Sequence, residues 1–305
     1  MIDQLIEKIF KLKNERQAVI LAHNYQRPEV QDIADYVGDS LGLSLTAAKT
    51  EAKVVVFCGV DFMAETAAII SPAKTVLVPE PKAGCPMADM ITAEKLRQIK
   101  LQNPNIPVVC YVNSAAAVKA EADVCCTSAN AVKVVNSLSS TEIVFVPDKF
   151  LGLYVQSQLP HKKLVIYHGY CPTHTKILPE YIAQGKKAHP QAKVLVHPEC
   201  RLETIALADA VLSTDGMLKY VAKSEAIEYI VGTEIGLIHR LEKENPAKKF
   251  YPATQLATCP NMKMTTLEKV LWSLEEREYR VVVEATMAQK ARTAIEKMME
   301  IGRQD

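Results

Sequence analysis

The chain has no surplus of either charge: 36 lysines and arginines stand against 35 aspartates and glutamates over 305 residues. A nucleic-acid or other polyanionic partner would call for a basic face, so none is expected. No apolar run approaches the roughly 20 residues of a membrane span, so no membrane partner is expected either. Residues 1–13 carry acids and lack both an apolar core and a cleavage site. They read as an amphipathic helix with Ile2, Leu5, Ile6, Ile9 and Phe10 on one face, not as a secretory leader. Eight cysteines are present, yet no C-x2-C run occurs. The usual signatures of zinc ribbons and ferredoxin-type clusters are therefore missing. Cysteines without close regular spacing in a large, leader-free chain also argue against a secreted disulfide framework. A reducing cytoplasm is the expected location. Low-complexity segments are absent too.

What is there is a repeat. Taking His23, Tyr111 and His197 as origins, an Ala-Asp pair ends 12 residues on in each copy: Ala34-Asp35, Ala122-Asp123 and Ala208-Asp209. Seventeen residues on comes a hydroxyl: Ser40, Ser128 and Thr214. At 62, 60 and 62 residues comes a Cys-Pro: Cys85-Pro86, Cys171-Pro172 and Cys259-Pro260. Self-similarity at a fixed period is the trace of a repeated structural unit. The shared positions are polar groups that a packed core does not demand.

Each copy carries the same coarse pattern. A short apolar strand runs into the origin (18–22, 107–110, 193–196). In the first copy a helix with Val30, Ile33 and Val37 on one face follows and closes near the Ala-Asp pair. The hydroxyl then opens a second helix (41–48, 129–138, 215–222), and a second strand comes next (53–58, 142–146, 227–231). A third helix starts at an acid, Asp61, Asp148 or Glu234, which the helix dipole favours. A third strand (75–78, 164–167, 250–251) leads into the Cys-Pro loop. Short β-branched strands alternating with helices predict an α/β chain of three related αβα-sandwich-like domains with small parallel sheets, arranged with pseudo-threefold symmetry. Boundaries fall near Asn103 and Pro190, giving domains 1–103, 104–190 and 191–278. The tail, 279–305, reads as one strand and one helix (287–299) packed on the first domain. In such sheets ligands sit beyond the C-terminal strand ends, where every repeated polar residue is expected to lie.

A lone cysteine is usually a small buried hydrophobe, and that suffices for Cys58 and Cys110 on strands and for Cys125 and Cys126 near a helix end. Cys85, Cys171 and Cys259 differ: they share an offset, sit in loops, and precede a proline that stiffens the loop. Three thiolates related by a pseudo-threefold suit three corners of a [4Fe–4S] cube, with a tris-thiolate zinc as the runner-up. A cube with three protein ligands leaves one iron open as a Lewis acid toward substrate oxygens.

The origins, His23-Asn24-Tyr25, Tyr111-Val112-Asn113 and His197-Pro198-Glu199, are expected to supply imidazoles, phenols, an amide and a carboxylate for a shared pocket. Glu199, with His197 beside it, is the expected proton shuttle. His23 and Tyr25 are expected to polarise a carbonyl. Ser40, Ser128 and Thr214 are expected as helix N-caps that also bind anions, with Asn113 as a further anchor. Ser213 is an alternative for the third hydroxyl, but the offset selects Thr214. His174, three residues after Cys171, is close enough to touch substrate, while His168 and His239 are expected to pack locally.

At these motifs the chain closely resembles the quinolinate synthases, the iron–sulfur enzymes of bacterial and archaeal NAD biosynthesis. The matching stretches are Ala22-His23-Asn24-Tyr25-Gln26, Gly38-Asp39-Ser40, Gly59-Val60-Asp61-Phe62-Met63-Ala64-Glu65, Tyr111-Val112-Asn113, Thr127-Ser128-Ala129-Asn130-Ala131-Val132, His197-Pro198-Glu199-Cys200 and Gly232-Thr233-Glu234-Ile235-Gly236. The resemblance covers essentially the whole chain. It implies three βαβ-type domains in a triangle with the active site on its axis. It also implies a transferase reaction: iminoaspartate, made by L-aspartate oxidase, condenses with dihydroxyacetone phosphate, and phosphate and two waters leave to give quinolinate. By the same resemblance the cluster ligands are Cys85, Cys171 and Cys259. Substrate contacts would match His23, Ser40, Tyr111, Asn113, Ser128, His197, Glu199 and Thr214, with Tyr25 and His174 also in the pocket. One departure is Tyr170, where relatives often carry His.

Two rivals follow from the residues themselves. An aconitase-like hydro-lyase also uses a cube with an open iron, but it needs no site for a phosphate-sized anion. The other rival is a non-catalytic iron–sulfur sensor or carrier: a sensor should offer a basic recognition helix or partner surface, which the balanced charge does not, and a carrier should keep its function in Glu199→Gln.

Overall fold

The computed structural model describes residues 2–302, and their short apolar strands assemble into three separate parallel sheets. The first holds β1 (Ala18–His23), β2 (Tyr36–Gly38), β3 (Val54–Cys58) and β4 (Thr75–Leu77), in the order β2-β1-β3-β4. The second holds β5 (Val108–Tyr111), β6 (Val124–Cys126), β7 (Glu142–Val146) and β8 (Lys163–Ile166), in the order β6-β5-β7-β8. The third holds β9 (Lys193–Val196), β10 (Ala210–Val211), β11 (Glu228–Gly232) and β12 (Lys249–Pro252), in the order β10-β9-β11-β12. One strand order, three times, is the structural form of the sequence repeat.

Helices cover both faces of these sheets. The first unit contributes α1 (Ile2–Glu15), α2 (Pro28–Ile33), α3 (Ser40–Lys49), α4 (Asp61–Ile70) and α5 (Ala93–Gln102). The second adds α6 (Ala116–Lys119), α7 (Ala131–Ser137), α8 (Lys149–Gln158) and α9 (Pro179–Ala188). The third adds α10 (Leu202–Ile205), α11 (Thr214–Lys223), α12 (Leu237–Glu244) and α13 (Leu267–Glu276), and the chain ends on α14 (Ala285–Ile301). Strand side chains alternate between two cores, as a period of two requires. Val19 and Leu21 of β1 join Leu41 and Phe57, while Ile20 and Ala22 join Val30 and Val56 on the opposite face. The third sheet repeats this, with Leu195 and Val231 on one side and Val194 and Ile230 on the other. Burial on both faces explains why the strands read as continuous apolar runs.

The second strand of each sheet was not expected from the sequence. These edge strands are two or three residues long, and Val37 lies in β2, not on the face of α2, which stops at Ile33. Cys125 and Cys126 likewise sit in β6, in the sheet and not at a helix end. The Ala-Asp pairs explain the edges. Asp35 Oδ2 accepts the Ile20 N–H at 2.8 Å, Asp123 Oδ2 the Val108 N–H at 2.7 Å, and Asp209 Oδ2 the Val194 N–H at 2.8 Å. Each Asp returns its own N–H to the same residue's carbonyl, at 2.9, 3.1 and 2.8 Å. This double latch ties each edge strand to the first strand of its unit. The repeated Asp is therefore structural and lies away from the C-terminal strand ends, which corrects the expectation for this one position of the repeat.

The amphipathic α1 buries Ile9 fully and packs on α13, whereas Ile2 and Phe10 stay exposed. In the tail, Arg280 forms a single antiparallel bridge with Leu77. α14 then lies against α4 of the first unit and against β6 and α6 of the second, so the tail spans both. No helix among the described residues is long and apolar enough to cross a membrane.

Candidate active site

Parallel strands release their chain into loops at one end, and loops from all three sheets meet there. β1 ends at His23 and β5 at Tyr111, and His197 follows β9 directly. Together the loops enclose a cavity of about 180 Å³. It is lined by His23, Tyr25, Ser40, Tyr111, Asn113, Ser128, His174, His197, Glu199 and Thr214, and by Cys85, Cys171 and Cys259. Every residue given a catalytic, substrate-binding or metal-binding role is thus brought to one place. Asn24 is not: it turns away to donate to Thr214 Oγ1 and Asp215 Oδ1, each at 2.8 Å. Tyr170 is largely exposed and its N–H meets Met90 Sδ. His239 pairs at 3.0 Å with Asp32 on the outer surface.

The three thiols share a local design. Each Cys-Pro runs into a single 3-10 turn, at Ala88–Met90, His174–Lys176 and Asn261–Lys263. That turn aims backbone N–H groups at the sulfur: those of Met87 and Ala88 at Cys85, of His174 at Cys171, and of Asn261 and Met262 at Cys259. Burial, the largest influence, pushes Cys85 up to about 12, Cys171 well above the ordinary thiol range, and Cys259 upward as well. Cys85 lies close enough to both Cys171 and Cys259 for their thiolates to repel. Half-buried thiols with N–H donors and mutual repulsion are stabilised as thiolates by a bound cationic centre. Cys58, Cys110, Cys125, Cys126 and Cys200 are buried within the units and do not line the cavity.

Glu199 is the hub of the polar network. One carboxylate oxygen accepts the Tyr111 hydroxyl proton, and the other lies 2.8 Å from His174 Nδ1. His174 Nδ1 is also 3.1 Å from Cys171 Sγ. The donor atoms of Cys171, His174 and Glu199 all fall within 4.8 Å of one another, a group that can hold a metal ion. Burial raises the Glu199 pKa, but the neighbouring His174 outweighs it, helped by His197 and the Tyr111 hydroxyl, and brings it down to about 2. Burial lowers His23 to about 4 and His197 to about 3, so both are neutral imidazoles near pH 7. It raises Tyr25 and Tyr111 well above the usual phenol range, with the Glu199 charge adding to the effect. His197 stacks on His174 with centroids 4.6 Å apart and reaches Ser128 Oγ at 3.2 Å. The site thus joins the fixed Glu199 carboxylate to the neutral imidazoles of His23 and His197 and to phenols that can pass or hold protons.

The repeated hydroxyls do not cap their helices. The cap of α3 is Asp39, which accepts the Gly42 N–H at 2.8 Å, and that of α11 is Ser213, which accepts the Gly216 N–H at 3.1 Å. A capping side chain must precede the first helical residue, so Ser40 and Thr214 hold the next position and line the cavity. Ser213 does not line it. In the second unit α7 starts only at Ala131, three residues beyond Ser128, so no helix end meets that hydroxyl. The acids also divide. Asp61 opens α4, and Asp148 caps α8 by accepting the Leu151 N–H at 2.7 Å. Glu234, however, lies in the loop before α12 and accepts the Cys259 N–H at 3.0 Å and the Gly236 N–H at 2.7 Å. Lys263 approaches the same carboxylate at 3.0 Å. Thr233 had no role assigned from sequence reasoning, Glu234 only that of opening a helix, and Lys263 none. The Gly232–Gly236 stretch was the available signal for the first two, and nothing marked Lys263.

Comparison with known proteins adds a family. Residues 7–300 match the family model described as quinolinate synthetase A protein. A quinolinate synthase of Dehalococcoides mccartyi (strain ATCC BAA-2266 / KCTC 15142 / 195) is 59% identical over 294 residues, covering 96% of this chain and 97% of that protein. One of Methanosarcina barkeri is 55% identical over 298 residues, 98% of each chain. One of Geobacter sp. (strain M21) is 52% identical over 301 residues, 99% of each.

Proposed function

Because the chain belongs to the quinolinate synthetase A family, we propose that it condenses iminoaspartate with dihydroxyacetone phosphate to quinolinate, releasing one phosphate and two waters. This makes it an enzyme of NAD biosynthesis, with small-molecule substrates. Its class is then that of a carbon–carbon bond-forming transferase, its iminoaspartate comes from L-aspartate oxidase, and its place is the cytoplasm. The observation that carries the reading is that three thiols from three units line one cavity with Glu199. A thiolate set of this kind suits a [4Fe–4S] cluster held by Cys85, Cys171 and Cys259. Such a cluster supplies one open iron as a Lewis acid toward substrate oxygen.

The chain's own residues account for the rest. Glu199, ionised and fixed by two partners, is the base that takes protons during condensation and loss of water, with His197 and His174 beside it. His23 and Tyr25, in edge contact at 4.6 Å, polarise the triose carbonyl. Ser40, Thr214, Ser128 and Asn113 anchor the anionic groups. Asn113 also leaves its Oδ1 buried without a hydrogen-bond partner, an acceptor suited to a substrate N–H or O–H and not to the anionic groups themselves. Holding two substrates in attack geometry is itself a large part of the acceleration.

The test is anaerobic assay of the cluster-loaded chain, with iminoaspartate generated by L-aspartate oxidase. Quinolinate and phosphate should appear one to one. Glu199→Gln should cut turnover by at least ~100-fold while iron content stays unchanged. Turnover of a single hydroxy acid without phosphate release would instead point to a hydro-lyase, and full activity in Glu199→Gln would remove the assigned base.

A further inference from the structure

Asn24 turns away from the cavity and the proposed chemistry gives it no task, yet it is fully buried where the first unit meets the third. It follows β1, while its partners come from α11 and α12. Those partners have fixed hydrogen-bonding sense. Arg240 Nη1 lies 2.8 Å from Asn24 Oδ1, and a guanidinium only donates. Asp215 Oδ1 lies 2.8 Å from Asn24 Nδ2, and an ionised carboxylate only accepts. The amide can therefore face one way only, with Nδ2 toward α11. One of its two N–H groups goes to Asp215 and the other to Thr214 Oγ1, at 2.8 Å. Arg240 is itself anchored: Nη1 donates to the Val37 carbonyl at 2.7 Å and Nε to Glu244 at 2.7 Å.

We propose that Asn24 and Arg240 are positioning residues that set the direction of the Thr214 hydroxyl, turning its proton into the cavity as a donor for a substrate anion. The inference rests on the cavity being the site of the condensation proposed above. A hydroxyl that accepts an N–H still has its one proton to give. Thr214 lines the cavity, and among the described residues that proton has no acceptor. The substrates supply one, because carboxylate and phosphate oxygens accept from hydroxyls. The relay runs from α12 of the third unit to Asn24 of the first and back to α11 of the third, so the docking of two units fixes the polarity of one hydroxyl. Asn24→Asp reverses that polarity. Both side-chain oxygens then accept, the Thr214 proton is drawn away from the cavity, and its lone pairs face the anion.

The test compares Asn24→Asp, Thr214→Val and the double variant in the cluster-loaded full chain. Asn24→Asp should raise KM for the substrate whose anion meets Thr214 about 10- to 100-fold, the range for losing a hydrogen bond to a charged group. Its kcat should stay within about threefold of wild type. Thr214→Val should raise KM for the same substrate, and the double variant should be no worse than the poorer single one. Arg240→Met, which frees the amide to turn over, should fall between wild type and Asn24→Asp. A merely structural role would lower the yield of active chain and leave KM where it was. KM values within about twofold of wild type for both substrates in Asn24→Asp, or losses that add in the double variant, overturn the assignment. A second measurement does not depend on turnover: calorimetric titration of the loaded wild type and Asn24→Asp with inorganic phosphate and with malonate. Wild type should bind at least one of these about tenfold more tightly. Equal affinities for both, absent binding included, overturn the hydroxyl's direction. Should the wild type form no quinolinate yet keep that tenfold difference, the functional reading fails and the relay stands.

Discussion

His23 and His197 border the same cavity as Glu199, and burial disfavours the charge on all three groups. It strips both imidazoles of their charge, to about 4 and about 3, while the neighbours of Glu199 keep its carboxylate ionised. In the unfolded chain a histidine binds its proton near 6.5. Between the folded and unfolded values the unfolded chain therefore holds more protons, and stability rises with pH. The contribution is complete above pH 6.5 and is lost as pH falls toward 4, on the order of a few kcal/mol for the pair. Buried acids such as Asp148, which burial pushes upward, act in the opposite sense. The slope is therefore read as the difference in urea stability between wild type and His197→Gln from pH 7.5 to 4.5. A difference that does not change with pH would contradict neutral burial. At this scale residue type and offset already pointed to Glu199, His23 and Thr214. They could not reveal that Tyr111 and His174 grip Glu199 from either side, because those contacts join segments far apart in the chain.

The edge strands show how an element can carry a repeat without function. Asp35, Asp123 and Asp209 recur because each closes a double latch between a two- or three-residue strand and the first strand of its unit. Asp123→Ala leaves the N–H of fully buried Val108 without its side-chain acceptor, and should cost about 1–2 kcal/mol of stability. Urea unfolding checks this, with Asp123→Asn, which keeps an acceptor oxygen, expected to lose less. Turnover per loaded cluster should stay at the wild-type level in both. Strands this short have no measurable period, so the pattern that revealed the longer strands was silent on them. The helix cap at Asp39 was missed, and Ser213 was passed over for Thr214, for a related reason: repeat offsets align units but do not say which residue begins the helix.

Across the whole molecule, three sheets of one strand order place their loops around a single cavity, and each Cys-Pro turn contributes a sulfur to it. Changing Cys85, Cys171 or Cys259 to Ser should therefore each empty the same centre. Iron per chain, measured after anaerobic reconstitution, should drop from about four to well below one. Cys58→Ser and Cys110→Ser, within β3 and β5, should retain it, and equal loss in all five would refute a three-thiol centre. The repeat, the α/β class, the three loop cysteines and the hydroxyls beside them were determined by the sequence itself. Spacing along the chain is local information, and equivalent positions in repeated units fold alike. Only the tertiary structure decided how the units dock. That docking decided which groups face one another: Tyr111 and His174 on Glu199, Asn24 between Arg240 and Thr214, and Glu234 behind Cys259. Such pairings depend on side-chain directions across interfaces, which no periodicity in one chain records.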